Sequence, residues 1–193
     1  PVRKGDRSKR YIFGVDPASE QDRFTIVILE LWEEHVRVVH VWSTNKAEFR
    51  SRHKAGMTKD HDFYGFCARK IRDLMKVFPC IHIALDKQGG GVAIEESLQD
   101  PDKLDPGERP ILPIIDDDHP ADTDILPGDH MLELCQFVRA DWTSEANHGL
   151  RKDMEDKVLL FPRFDNITLG LSVEEDKRRK ESFEREYPNT KFS

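Results

Sequence analysis

No apolar run in the 193 residues approaches the roughly 20 needed to cross a bilayer as a helix. The opening Pro1-Val2-Arg3-Lys4-Gly5 also lacks the apolar stretch of a secretion signal. The expectation is a soluble, intracellular chain. Cysteine is scarce: Cys67, Cys80 and Cys135 are an odd number with no CxxC spacing, which argues against both a disulfide framework and a zinc site. All three are expected as reduced, mostly buried thiols. The pattern GxxxxGK[ST] is missing, which excludes a P-loop motor in this segment, and Gly89-Gly90-Gly91 does not make the GxGxxG of a dinucleotide site. No internal repeat or low-complexity tract is present.

What is there is one domain's worth of material: 37% hydrophobic and 35% charged residues, enough for one substantial core. The start at Pro1, inside a polar basic stretch, reads as a segment of a longer polypeptide with residues 1–10 as a linker remnant. Residues 11–170 are expected as the folded domain and 171–193 as a charged extension. The net charge of −7 speaks against a polyphosphate partner on average. The average hides an asymmetry, because Arg3, Lys4, Arg7, Lys9 and Arg10 open the chain and Lys46, Arg50, Arg52, Lys54 and Lys59 follow the third predicted strand, whereas acids dominate from Glu95 to Glu133. A basic surface facing DNA is compatible with an acidic back, although charge runs also serve simply as solvated faces.

Residues 11–16 form a short apolar run ended by Asp16 and Pro17, the pattern of a buried strand stopping at a turn. Phe24–Leu31 and Val36–Trp42 are rich in β-branched residues and joined by a polar link, which predicts a hairpin and a three-strand meander. Lys46–Lys59 has no clean period and reads as a loop or broken helix. From Asp62 to Phe78 apolar residues recur at three- and four-residue steps, an amphipathic helix closed by Pro79. Cys80–Leu85 is a second apolar run ended by an acid, Asp86, and is followed by the three glycines and a helical Val92–Leu98. Ile111–Ile115 is a fifth strand, placed at an edge by Pro113. Met131–Asp141 and Glu145–Asp156 read as helices, with Leu159–Pro162 a short extended piece. The order predicts an α/β fold: a mixed five-stranded sheet of RNase H-like topology, a three-strand meander followed by helical crossovers.

Two strands thus end in a carboxylate. If they are parallel neighbours, Asp16 and Asp86 reach one edge of the sheet, where ligands of open α/β sheets collect. Close carboxylates repel, so the pair demands a shared proton or bound cations, and hard ions with oxygen ligands, Mg²⁺ or Mn²⁺, suit it. Two such ions about 3.5–4 Å apart serve phosphodiester hydrolysis. Taken singly, Asp16 is an ordinary turn former and Asp86 an ordinary cap or loop acid; the matched contexts carry the reading.

Gly14-Val15-Asp16-Pro17-Ala18, followed by Asp22 and a β-branched strand, resembles the first acidic motif of the nuclease domain of tailed-phage terminase large subunits. Ala84-Leu85-Asp86-Lys87-Gln88-Gly89-Gly90-Gly91-Val92 resembles the second, and Ala146–Arg151 through Phe161-Pro162 resembles the helix-then-strand passage that follows. The resemblance covers most of residues 11–165. It implies an endonuclease that cuts concatemeric viral DNA during genome packaging in the cytoplasm of an infected bacterium. The implied partners are double-stranded DNA, the terminase small subunit, the portal protein and an ATPase domain of the same polypeptide. The family pattern ends with a third acid that nothing after Phe161 matches: Glu174, Glu175 and Asp176 lie in the right region but beside Lys177-Arg178-Arg179-Lys180. Those surroundings are also those of a solvated helix, so either the third ligand lies beyond Ser193, with Asp176 the candidate inside this segment, or the segment binds metal weakly by itself.

Secondary candidates are Asp22, across the turn from Asp16, and Glu95, early in the helix after the glycines, where an acid is also an ordinary dipole partner. DNA contacts are expected at Lys46, Arg50, Arg52, Lys54 and Lys59. Asp116-Asp117-Asp118-His119 reads as a solvated loop and His82 as a core histidine. Trp42 and Trp142 read as core or interface aromatics. Two other readings remain open: a catalytically silent RNase H-like module that binds DNA or protein, and a junction resolvase or transposase-like nuclease.

Overall fold

The computed structural model describes residues 5–17, 22–115 and 127–162. Seven strands form one sheet: β1 (Arg10–Asp16), β2 (Phe24–Trp32), β3 (His35–Thr44), β4 (Cys80–Asp86), β5 (Ile111–Pro113), β6 (Asp129–Cys135) and β7 (Leu159–Leu160). Their spatial order is β5-β6-β4-β1-β2-β3-β7. The first three are an antiparallel meander, while β4 lies parallel to β1, and β6 parallel to both β4 and β5. The helices are α1 (Lys46–Lys54), α2 (Phe63–Val77), α3 (Gly91–Gln99) and α4 (Ala140–Glu155).

The alternation of β1 explains the packing. Tyr11, Phe13 and Val15 are buried, as are Phe24, Ile26 and Ile28 of β2 and Ile83 and Leu85 of β4. They share one core cluster with Cys67, Ile71 and Leu74 of α2 and Ile94 and Leu98 of α3. The helical stripe expected from Asp62 onward forms α2, started by the Asp62 carboxylate accepting from the Gly65 amide. Side chains alternate across a strand, so Ile12, Gly14 and Asp16 of β1, like His82, Ala84 and Asp86 of β4, leave the sheet on the face opposite this core.

The sheet departs from the expectation in two ways. Among the described residues it has seven strands rather than five, and residues 131–135, expected to begin a helix, belong to strand β6. Met131, Leu134 and Cys135 do fall at helical steps, but a short apolar run fits either period and tertiary pairing decides. Here β6 pairs with β4, covering an edge that would otherwise be open, and buries Leu132. The helix begins at Ala140, after a turn. The short extended piece at 159–160 pairs with β3, and the poorly periodic Lys46–Lys59 segment contains α1, capped by the Asn45 side chain and anchored by buried Phe49. Pro113 does sit on an edge strand. Cys67 and Cys135 are buried, Cys80 partly so, and all three are free thiols.

A candidate metal and DNA site at the sheet rim

Strand register builds the rim. Val15 pairs with Leu85, so the next residues, Asp16 and Asp86, end adjacent parallel strands whose axes are about 4.8 Å apart. Asp86 in turn pairs with Cys135 of β6, Asp16 with Thr25 of β2, and Thr25 with Ser43 of β3. Cys135, Asp86, Asp16, Thr25 and Ser43 thus run in order along one edge.

The two acids feel each other. Local desolvation, then the charge of Asp86 and then that of Asp22, raise the Asp16 pKa from its ordinary value. Asp22 is therefore close enough to add to the field at Asp16. Asp86 is more firmly held, its Oδ1 accepting from the Gln88 amide at 2.9 Å. Beside it, the Cys135 thiol is pushed up to about 11 by burial and by the charges of Glu133 and Asp86, so it stays protonated at neutral pH. The hard donors at this rim are carboxylate oxygens.

That set suits Mg²⁺ or Mn²⁺, which commonly use one or two carboxylates and complete their shells with water and substrate phosphates. Among the described residues no cluster of three or more His, Cys, Asp or Glu side chains is arranged to hold an ion. Asp176, Glu174 and Glu175 lie outside the described residues, as does the Asp116–His119 run. Glu95 of α3 faces Lys87, with Oε2 3.9 Å from Nζ, and accepts from Gln99.

Two of the three glycines prove to be packing elements, while Gly89 takes a positive φ of 57° at the turn. A side chain at Gly90 would overlap the Tyr64 ring, and one at Gly91 would strike the Asp86 carbonyl. They let α2 and the start of α3 close against the strand end that carries Asp86.

The cationic residues divide by position. Lys46 opens α1 at this same rim and lies 5.5 Å from the centre of the Tyr64 ring that covers Gly90. Arg50 and Lys54 follow it at four-residue steps, making one helical stripe, and with Arg52 and Lys59 they are exposed. Sequence reasoning missed three groups here. Arg23 bonds Ser43 and Glu48, tying the rim to α1. Lys87 follows Asp86 with its side chain 41% exposed. His82 is not a core residue: it is partly exposed and its Nε2 lies 2.7 Å from Glu133 of β6. That pair became visible only once residues 129–135 were seen as a strand beside β4.

No protein-family model and no curated protein sequence matches the chain. Solved structures do. The large terminase nuclease of the thermophilic phage G20c, with bound magnesium, superposes with a TM-score of 0.52 over 83% of this chain at 14% identity.

The fold is RNase H-like, as in that terminase nuclease.

This chain covers 62% of the length of the G20c nuclease chain. The large terminase of bacteriophage HK97 is a more distant likeness: TM-score 0.45 and 13% identity, over 79% of this chain and 30% of that one. Among the described residues no helix is long and apolar enough to cross a membrane.

Proposed function

We propose that this chain is a divalent-metal-dependent nuclease that hydrolyses DNA phosphodiester bonds at the Asp16–Asp86 rim. The observation that carries the reading is the meeting of two carboxylates from distant parts of the sequence at the ends of adjacent parallel strands, with the Asp16 pKa raised by desolvation and then by the charges of Asp86 and Asp22. Like charges brought together without a cation are costly, and a bound ion removes the cost. Asp16 and Asp86 hold the metal, with Asp22 adding negative field from the adjoining turn. The third ligand is sought at Asp176 or beyond Ser193. Asp16 and Asp86 would hold two Mg²⁺ or Mn²⁺ ions, and the chemistry those ions would supply is activation of a water and stabilisation of the departing oxygen.

The chain's other groups orient DNA. Lys46, Arg50, Arg52, Lys54 and Lys59 contact phosphates and so position the duplex without reading its sequence. Lys87, beside Asp86, meets the phosphate nearest the acids. The G20c nuclease with bound magnesium lends the metal reading support at the level of fold. Within this proposal the substrate is concatemeric viral DNA cut during packaging, in an infected bacterial cytoplasm. The remaining partners are the terminase small subunit, the portal protein and an ATPase domain.

The test is nicking of supercoiled plasmid in Mn²⁺. Asp16→Ala and Asp86→Ala should each lose at least about a hundredfold in rate, of the order lost when an interaction made only in the transition state is removed. The Asp16→Ala melting temperature should not fall; Asp86→Ala gives up the bond from the Gln88 amide, so its fold is checked separately by circular dichroism. Unchanged cutting by both variants rejects the site.

A further inference from the structure

We propose that the turn at residues 136–139, which follows β6, presents Phe137 and Val138 as an apolar contact for the bases of the DNA strand held at the Asp16–Asp86 rim. The inference rests on the nuclease reading and adds a second chemistry to it. Cys135, the last residue of β6, is in register with Asp86, so the turn emerges at the same rim.

Its backbone is tied from two sides. Gln88 stands two residues past Asp86, and with its amide oriented to satisfy both partners, its side-chain oxygen accepts from the Phe137 amide at 3.3 Å and the Val138 amide at 2.7 Å. From the other side the Thr143 hydroxyl donates to the Phe137 carbonyl at 2.8 Å, and Arg139 N–H closes the turn onto Gln136. The Phe137 ring packs edge-on against Trp142 with centroids 4.7 Å apart.

Despite this fixation Phe137 is 48% and Val138 74% exposed. A loosely held turn would be free to fold such side chains inward; these hydrogen bonds hold them out, in a loop bonded to the residue just beyond a proposed metal ligand. Phosphate has no use for apolar surface, and Lys87 already serves it. The faces of the bases do: side chains of this kind stack on exposed bases or wedge between base steps. DNA is favoured over a protein partner on area, because two side chains and the edge of a third fall far short of the roughly 800 Å² per partner of a stable protein interface. The strand that this proposal seats at Asp16 and Asp86 would pass beside this turn.

The experiment compares the wild-type chain with Phe137→Ala/Val138→Ala, using a fluorescein-labelled duplex in Ca²⁺ to permit binding, and a second duplex carrying 2-aminopurine. The double variant should weaken DNA binding by about tenfold, within the range for loss of a base-stacking side chain. It should also lose the rise in 2-aminopurine fluorescence that wild type produces, while Phe137→Leu/Val138→Ile restores the affinity. Both positions are exposed, so melting temperature should hold or rise. If wild type binds DNA and the alanine variant binds it equally well, this proposal fails and the nuclease reading stands. If wild type binds no DNA, both fail. If the alanine variant instead loses self-association with its DNA affinity intact, the turn is a protein contact and the proposal is overturned.

Discussion

At the scale of single residues, Asp16 carries a consequence that is independent of catalysis. Its folded-state pKa is raised, so between the unfolded carboxyl value and that raised value the folded chain holds more protons than the unfolded one. Stability therefore falls as pH rises through this window and stays reduced above it. Asp16→Asn removes a charge that the fold tolerates poorly. We expect a melting temperature about 1–3 °C higher than wild type at pH 7, with the difference vanishing below about pH 4, the range set by the ordinary carboxyl value and typical melting entropies. Mn²⁺ should raise the wild-type melting temperature in a concentration-dependent way and the variant's far less, since a ligand bound only by the folded state stabilises it by mass action. Calorimetric scans at both pH values, with and without Mn²⁺, check each part; a destabilised Asp16→Asn at pH 7 would contradict the charge argument.

At the scale of elements, α2 is joined to the approach of β5 by a set of charges centred on Glu108. Arg69 reaches it at 2.6 Å and Lys76 at 3.0 Å, and both cations also contact Asp105. Buried Arg72 adds hydrogen bonds to the Leu98 and Arg109 carbonyls, which ties α3 to the same cluster. Loss of solvation raises the Glu108 pKa, but the bonds from Arg69, the Asp105 amide and Lys76 outweigh it and bring the value down to about 2. A depressed carboxyl contributes stability above its unfolded value, and that contribution is lost as pH falls toward about 2. Glu108→Gln should therefore unfold at lower urea than wild type at pH 7, by an amount equivalent to about 1–3 kcal/mol for a hydrogen-bonded charge group. The gap should close as the pH is lowered from about 4.5 toward 2, and a gap constant over that range would show that the lost packing, not the charge, is responsible.

At the scale of the whole molecule, charge is distributed against the average. The net charge is −7, yet Lys46, Arg50 and Lys54 form one stripe leading from the acid rim along α1, while Asp105 and Glu108 are engaged by α2 cations. The DNA binding proposed for that stripe would release counterions, so its strength should depend steeply on salt. Replacing Arg50 and Lys54 with Glu should reduce the slope of log Kobs against log salt by about 0.9 for each phosphate that is no longer neutralised, close to two units in all. Fluorescence anisotropy titrations between low and physiological salt measure this. An unchanged slope would mean that DNA takes another path over the protein.

Much of this was legible in the linear chain. Apolar runs ending in acids at 16 and 86, the meander of 24–42 and the stripe from 63 to 77 are local patterns, and each is written in the period of its side chains. Two kinds of feature were not legible. Residues 129–135 carry an apolar pattern short enough for helix or strand, and only the open edge of β4 decides between them. The contacts of Gln88 with the 136–139 turn, of Lys46 with Tyr64 and of His82 with Glu133 join residues that no spacing rule links. Sequence alone determined which acids would stand at strand ends, because burial and alternation act on neighbours in the chain. Their meeting at one rim, and what surrounds them there, was decided by strand order, which depends on contacts between distant segments that form only when the sheet assembles.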